Sequence, residues 1–201
     1  MSQTYDPAAI MNNPDTHSGV TNAKLGVWLF LASEIMLFAT LFTSYIVLRM
    51  ASTSWPWGWD VLNVPLATVN TVVLIGSSMT IVMAYARAYD KDKGGFQKWM
   101  AATILLSLAF LVIKGFEYGP KFAAGIGPHT SVFYAIYFTM TGLHAIHIVG
   151  GIAVNAGLLY MSTVDGHWKN PLFLGRVEGA GLYWHFVDIV WIFLFPALYL
   201  L

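Results

Sequence analysis

Five long apolar stretches constrain the fold of this chain more than any other feature of its sequence. They run over residues 24–49, 66–88, 98–118, 130–161 and 179–201. Each is long enough to cross a membrane, because a helix needs about 20 apolar residues to span the hydrocarbon core. A membrane admits only helices and closed barrels, and barrel strands would alternate apolar with polar residues. The continuous runs therefore predict an all-α integral membrane protein, a bundle of five transmembrane helices.

The composition excludes a soluble domain. Of the 201 residues, 57% are hydrophobic and only 10% are charged, whereas a soluble domain carries about 25% charged residues. The formal net charge is zero, so nothing indicates a nucleic-acid partner. The chain has no cysteine, which excludes disulfides, thiolate zinc sites and iron–sulfur clusters.

The segment before the first apolar stretch is polar. Residues 1–23 contain no basic residue and lack the charged and apolar regions of a signal peptide. We expect a flexible cytoplasmic tail there, with the first apolar helix acting as its own insertion signal. Residues 24–201 contain no internal repeat and no segment that indicates a second domain, so they are expected to form a single membrane domain.

Basic residues predict the orientation, because cytoplasmic loops carry more lysine and arginine than loops on the other side. Three basic residues would lie on the outer side, namely Arg49, Lys114 and Lys121. Seven would lie on the side of the N-terminus, namely Lys24, Arg87, Lys91, Lys93, Lys98, Lys169 and Arg176. The bias places the N-terminus in the cytoplasm and, after five crossings, the C-terminus outside, in the periplasm.

Ionisable residues within the apolar stretches are predicted to share one layer of the membrane. Glu34 lies roughly 15 Å from the cytoplasmic end of its helix, near the midplane. The others at similar depth are His144, His147, His185 and Asp188. At 100° per residue, His144 and His147 fall in one polar stripe of the fourth helix, and His185 and Asp188 in one stripe of the fifth. Because charges in lipid are costly, both stripes should face the bundle interior.

These residues allow several interpretations. A His–Asp pair at i, i+3, such as His185 and Asp188, more often joins helices than catalyses a reaction. The same side chains with Glu34 could supply metal ligands, but the paired Glu-x-x-His motifs of di-iron bundles are missing from the sequence. Glu34 itself is either a structural carboxyl kept protonated by desolvation or a proton-handling group. The residues alone leave that choice open.

Four sequence motifs resemble those of one known family, subunit III of the haem–copper oxidases. They are GVWLFLASEIMLFATLF at 26–42, KGFEYGPKFAAG at 114–125, TGLHAIHIVGG at 141–151 and EGAGLYWHFVDIVWIFLFPALYL at 178–200. They occur in the family's order and lie in or beside every apolar stretch except the second. The long form of this family has seven helices, and the resemblance here begins at the third. The chain is therefore similar to the short, five-helix bacterial type.

The resemblance implies an accessory subunit of cytochrome c oxidase, without a redox centre of its own, in the bacterial cytoplasmic (inner) membrane. Haem and copper would be held by partner subunits. The chain would contact subunit I directly, stabilise it during turnover and support proton uptake. Further partners would be subunit II, small subunits, membrane lipids including structural phospholipids, and a respiratory supercomplex. The lipid cleft of the long form would here be open, or completed by helices of a neighbouring subunit.

The resemblance also implies roles for residues, none of them catalytic and none a metal ligand. Glu34 matches the family's proton-related intramembrane carboxyl. Glu117 and Glu178 match its interfacial carboxylates. The residues that match its buried polar network are His144, His147, His185 and Asp188.

Other functions are weighed against this one. A quinol oxidase would use the same subunit with another electron donor, and a nitric-oxide-reductase accessory subunit belongs to the same superfamily. A stand-alone proton transporter would use Glu34 and the nearby histidines, but five helices without a repeat or a broken helix do not resemble a transporter core.

Overall fold

The computed structural model describes residues 22–170 and 172–201, so the predicted tail falls almost entirely outside the described residues. Those residues contain five helices that are long and apolar enough to cross a membrane. The all-α fold predicted from the sequence is therefore confirmed. The five are α1 (Asn22–Ala51), α2 (Val64–Tyr89), α3 (Lys93–Ala123), α4 (Val132–Thr163) and α5 (Leu172–Phe195). Short helical turns cover Gly58–Val61 and Asp165–Trp168, and a π-helical segment, Pro196–Leu200, continues α5.

Polar side chains fix the beginnings of three helices. The N-cap residues Asn63, Asp92 and Ser131 each accept a hydrogen bond from a backbone N–H in the first turn of α2, α3 and α4. The Asp92 cap explains why α3 begins at Lys93, five residues before the start of the predicted stretch at residue 98. Helix α5 begins at Leu172, seven residues before the predicted start, where the Asn170 side chain accepts from the Leu172 N–H at 2.9 Å.

Helix α5 forms the centre of the bundle and contacts α1, α2 and α4, while α3 packs against α2 and α4. The indole N–H groups of two fully buried tryptophans tie α5 to α2: Trp184 donates to Ser77 at 3.0 Å, and Trp191 to Thr71 at 2.9 Å. On the opposite side, α4 approaches closely because residue 151 is glycine. A Cβ there would lie 2.5 Å from the Trp184 ring.

Helix α1 packs very differently. Only 6% of its most apolar stretch is buried, against 44% for α5. It contacts α4 and α5 along one narrow stripe, in which Phe38 and Tyr45 are buried. At its C-terminal end the Tyr45 hydroxyl donates to the Ala197 carbonyl at 2.5 Å, and Arg49 donates to the Tyr45 oxygen at 2.7 Å. In lipid, where apolar contact drives little helix association, such polar contacts are important for holding the helix in place.

Candidate functional site

Glu34 and His147 form a hydrogen-bonded pair across the contact between α1 and α4. The distance from Glu34 Oε2 to His147 Nε2 is 2.8 Å. Their side chains are only 15% and 12% exposed, and Phe38 presents its ring to the His147 imidazole at 5.2 Å between centroids. The sequence placed both residues near mid-membrane, and the structure brings them into direct contact.

The other nitrogen of His147 fixes the chemistry of this contact. Nδ1 lies 2.8 Å from the Leu143 carbonyl oxygen. A carbonyl only accepts, so Nδ1 must carry a proton. The short contact between Nε2 and Glu34 then needs one proton between them, placed either on the carboxyl or on the imidazole. The pair is thus a carboxyl and an imidazole that share one proton inside the membrane.

A second carboxylate, Glu117, lies in a much more enclosed cluster between α3, α4 and the π-helical segment. Lys114 Nζ donates to Glu117 Oε2 at 2.8 Å, and the two side chains are 6% and 2% exposed. The hydroxyls of Tyr137 and Tyr199 donate to Glu117 Oε1 at 2.9 and 2.8 Å. Lys114 also donates to the Tyr199 oxygen at 2.5 Å. The opposite charges of Lys114 and Glu117 and the hydrogen bonds from the two tyrosines offset the cost of removing this ion pair from water.

Aromatic rings enclose the Lys114 ammonium. It lies 4.6 Å from the centroid of Trp191 and 4.9 Å from that of Tyr199. Such positions favour a cation because the face of an aromatic ring is negative. The cluster is therefore built to hold one fixed charge pair, and it ties the end of the chain to α3.

His144 lies among aromatic rings. Its ring stacks on Trp191 with centroids 5.1 Å apart and meets the edge of Phe110 at 5.8 Å. Neither ring nitrogen makes a hydrogen bond with the residues that the structure describes. The structure thus separates His144 from His147, although the sequence put the two in one stripe.

His185 and Asp188 lie where α5 packs against α2. His185 Nδ1 lies 2.6 Å from Ser78 Oγ. The Ser78 hydroxyl is also close to the Asp188 carboxyl group, but neither carboxyl oxygen meets hydrogen-bond geometry with any described residue. The four residues predicted as one polar network therefore occupy three separate environments.

Glu178 forms the contact at the other end of α1. Its Oε1 lies 2.6 Å from Lys24 Nζ, with both side chains more than a third exposed. An ion pair this exposed typically contributes less than about 1 kcal/mol to the stability of the fold. The two carboxylates predicted as interfacial thus differ, because Glu178 is open and Glu117 is enclosed.

Metal binding is the other role that these histidines and carboxylates could have. Across residues 22–170 and 172–201, no group of three or more His, Asp or Glu side chains is placed to hold a metal ion. Of the three histidines at mid-membrane, His147 uses both ring nitrogens in the contacts above. What the geometry shows is proton sharing at Glu34 and charge pairing at Glu117.

A comparison with family models decides the relationship. The model of cytochrome c oxidase subunit III matches residues 9–201. The chain belongs to this family. The resemblance seen in the four motifs is therefore confirmed. As a subunit III, the chain belongs to an oxidoreductase complex, and its partners are other subunits of the oxidase. It is also a multi-pass membrane protein.

Relatives support the same family. The chain is 35% identical to "Cytochrome c oxidase subunit 3" of Synechocystis sp., over 100% of this chain and 84% of that protein. It is 36% identical to the protein of the same name from Corynebacterium diphtheriae, over 95% and 91%. It is also 34% identical to "Cytochrome bo(3) ubiquinol oxidase subunit 3" of Pseudomonas putida, over 92% and 88%.

Sequence reasoning on this subunit III missed part of its polar interior. Lys114 was counted as an outer basic residue, yet its spacing of three residues from Glu117 on one helix is a signal that could have revealed the pair. Tyr137 carried no local signal for its contact with Glu117, which lies 20 residues away in the chain. Ser78 and Tyr199 carried no local signal, because their partners lie 107 and 82 residues away in the chain.

Proposed function

We propose that the chain is a non-catalytic subunit III of a proton-pumping terminal oxidase that reduces dioxygen to water. It has no redox centre of its own, and the haems and copper are held by partner subunits. Membership of the subunit III family supports this proposal. So does His147, whose two ring nitrogens are already engaged by a carbonyl and a carboxyl group. Its work is to stabilise subunit I and to support proton uptake.

The Glu34–His147 pair is the observation that carries the proposed link to proton uptake. A carboxyl and an imidazole 2.8 Å apart exchange a proton without moving their heavy atoms. The pair lies on the least buried helix of the bundle, so a neighbouring subunit or water can reach it more readily than the enclosed Glu117. We propose that it holds a proton near the uptake path of subunit I.

Purification of the whole complex through a tag on this chain tests the proposal. Subunits I and II should co-purify in mild detergent together with haem and copper, and removal of this chain should leave those cofactors with subunit I. Oxygen consumption without this chain should begin near the normal rate and then decline faster. Haem or copper at stoichiometric occupancy on the isolated chain would contradict the proposal.

The proposed electron donor is cytochrome c, with a quinol as the second candidate. Both candidates are supported by relatives of almost equal identity, the Synechocystis oxidase subunit and the Pseudomonas ubiquinol oxidase subunit. The donor is expected to bind other subunits. Turnover of the purified complex with reduced cytochrome c and, separately, with ubiquinol decides between them.

We further propose the bacterial inner membrane as the location, with the N-terminus in the cytoplasm. The distribution of lysine and arginine supports this orientation. Since the chain has no cysteine, single substitutions give a clean test. A membrane-impermeant thiol reagent added to intact spheroplasts should label Thr53→Cys, in the loop after α1, and spare Asp90→Cys, in the loop after α2. The reverse pattern would overturn the orientation.

Structural phospholipids are also proposed as ligands. A shallow groove of about 660 Å³ runs along the exposed side of α1 and is lined by Met36, Thr40, Thr43 and Val47, among others. Its hydroxyls donate to carbonyls of their own helix, so the groove offers an apolar surface suited to an acyl chain. Lipid analysis of the purified complex should find phospholipid that Thr43→Trp displaces and Leu105→Trp, on the exposed side of α3, does not. Equal retention in both variants would contradict a site in this groove.

A further inference from the structure

A polar seam lies halfway along α2 and α5, where the two helices meet. Ser78 is near the middle of the span Val64–Tyr89, and His185 is near the middle of the span Leu172–Leu200. The two side chains are 2.6 Å apart, and the buried Asp188 carboxyl lies beside the same hydroxyl. The three residues, called the α2–α5 seam below, are therefore at the depth where lipid is most apolar.

His185 differs from the other histidines at this depth because part of its ring reaches the outside of the bundle. Its side chain is only half-buried. Its Nδ1 is engaged by Ser78, while its Nε2 has no hydrogen-bond partner in the described part of the chain and is not enclosed by it. A polar nitrogen left facing lipid tails is costly, so such residues normally face protein or water.

The surface around His185 is apolar and exposed. Ile75 and Met79 flank Ser78 on α2, and Ile189 lies about one turn from His185 on α5. These side chains give a transmembrane helix a surface to pack on, and His185 gives it a single polar contact. An acyl chain would fill the same surface but could offer no hydrogen bond to Nε2.

We propose that the α2–α5 seam is where a transmembrane helix of another oxidase subunit docks, and that this helix carries a polar side chain which hydrogen-bonds to His185 Nε2. The inference rests on the proposed function, because it needs a membrane-embedded partner. Ser78 acts as a positioning residue, since its contact with Nδ1 turns Nε2 outward. The seam thereby sets both the face and the depth at which the partner helix binds.

Photo-crosslinking in the intact complex tests the docking face. A photoreactive amino acid is placed at Met79 or Ile189 on the seam, and at Leu105 or Ile146 as controls on the exposed sides of α3 and α4. The two seam positions should crosslink to another oxidase subunit, and the two controls should not. Crosslinks to a subunit from the controls and none from the seam would overturn the inference, as would crosslinks from the seam to lipid alone.

Substitution of His185 tests the polar contact. His185→Leu should lower retention of the partner subunits in a detergent wash by about fivefold, because an interhelical hydrogen bond in a membrane is modest in strength. His185→Gln, which keeps a hydrogen-bonding group, should restore most of that retention, and Ile189→Leu should leave it unchanged. Equal retention in the Leu and Gln variants would overturn the role of His185.

These results are separable from a failure of the proposed function. If no oxidase subunit co-purifies with the wild-type chain, the proposed function fails and the docking inference fails with it. If the oxidase subunits co-purify but the crosslinks arise from α3 or α4, only the docking inference is wrong. The crosslinks on otherwise unchanged protein decide the question even where a His185 variant fails to assemble.

Discussion

Two carboxylates of this subunit III, Glu34 and Glu117, each have a basic partner at the same distance and yet lie in opposite surroundings. Each carboxyl oxygen is 2.8 Å from its partner nitrogen. Glu117 receives further hydrogen bonds from two tyrosines and is 2% exposed, whereas Glu34 is hydrogen-bonded only to His147 among the described residues and is 15% exposed. The contact distance therefore does not show what a carboxylate does. The number of its other partners and the packing of its helix separate a structural ion pair from a pair able to exchange a proton.

The largest effect should follow from removing one member of the enclosed pair. Glu117→Leu leaves the Lys114 ammonium buried without a counter-charge, which costs about 3–5 kcal/mol. We expect loss of the folded subunit from the membrane, measured as its level in membranes and its retention in the purified complex.

The double variant Lys114→Met with Glu117→Leu is the matched control. It removes both charges together, and replacing a buried pair by apolar residues is often neutral or better. The subunit should return to near its normal level. If Glu117→Leu alone left the subunit unaffected, the enclosed pair would not be structural.

A smaller effect is expected from the tyrosine that joins this pair to the end of the chain. Tyr199→Phe removes one donor to Glu117 and one acceptor from Lys114, at a cost of about 1–3 kcal/mol. The subunit should assemble but dissociate from the complex at lower detergent concentration than wild type. Thr139→Val is the control, because Thr139 is exposed and its hydroxyl donates to the carbonyl of Ala135 on its own helix. Equal dissociation of Tyr199→Phe and the control would show that Tyr199 is dispensable.

At the lightly packed carboxylate, Glu34→Gln should leave assembly and initial turnover near normal. The amide can still donate to His147 Nε2, so the contact between α1 and α4 is kept. The proton that the pair can exchange is lost, and oxygen consumption should therefore decline faster during sustained turnover. Complete loss of initial activity with subunit I intact would contradict the assignment of Glu34 outside the chemistry.

The smallest effect should come from the exposed pair at the N-terminal end of α1, Lys24 and Glu178. Lys24→Gln weakens a surface contact worth less than about 1 kcal/mol. Thermal stability and subunit retention should stay within error of wild type. A change as large as that of Tyr199→Phe would show that α1 depends on its ends more than on Glu34.

Much of this fold follows from the sequence, because membrane crossing imposes length and apolarity on every helix. The five helices needed no information from distant parts of the chain. The helix starts at Lys93 and Leu172 were missed. Hydrogen bonds from backbone N–H groups to the side chains of Asp92 and Asn170 extend these two helices into segments that the sequence did not predict as helical. The predicted start of the fifth stretch at residue 179 left out Gly175, which lies inside α5.

The pairing of the polar residues could not be predicted in the same way. His144 and His147 are three residues apart, about 60° on the helix surface, and that angle suffices to turn one to α5 and the other to α1. Glu34 meets its partner across 113 residues of chain. Such contacts depend on tertiary packing. The contact between Lys114 and Glu117, in contrast, could be predicted from their spacing of three residues on one helix.

Infrared difference spectroscopy of the purified complex tests most directly the claim that the two carboxylates have different roles. Spectra of the oxidised and the reduced complex are compared for wild type, Glu34→Gln and Glu117→Gln. We expect Glu34→Gln to remove a carboxyl band that changes between the two states, and Glu117→Gln to remove none. A changing Glu117 band beside an unchanged Glu34 would contradict the claim.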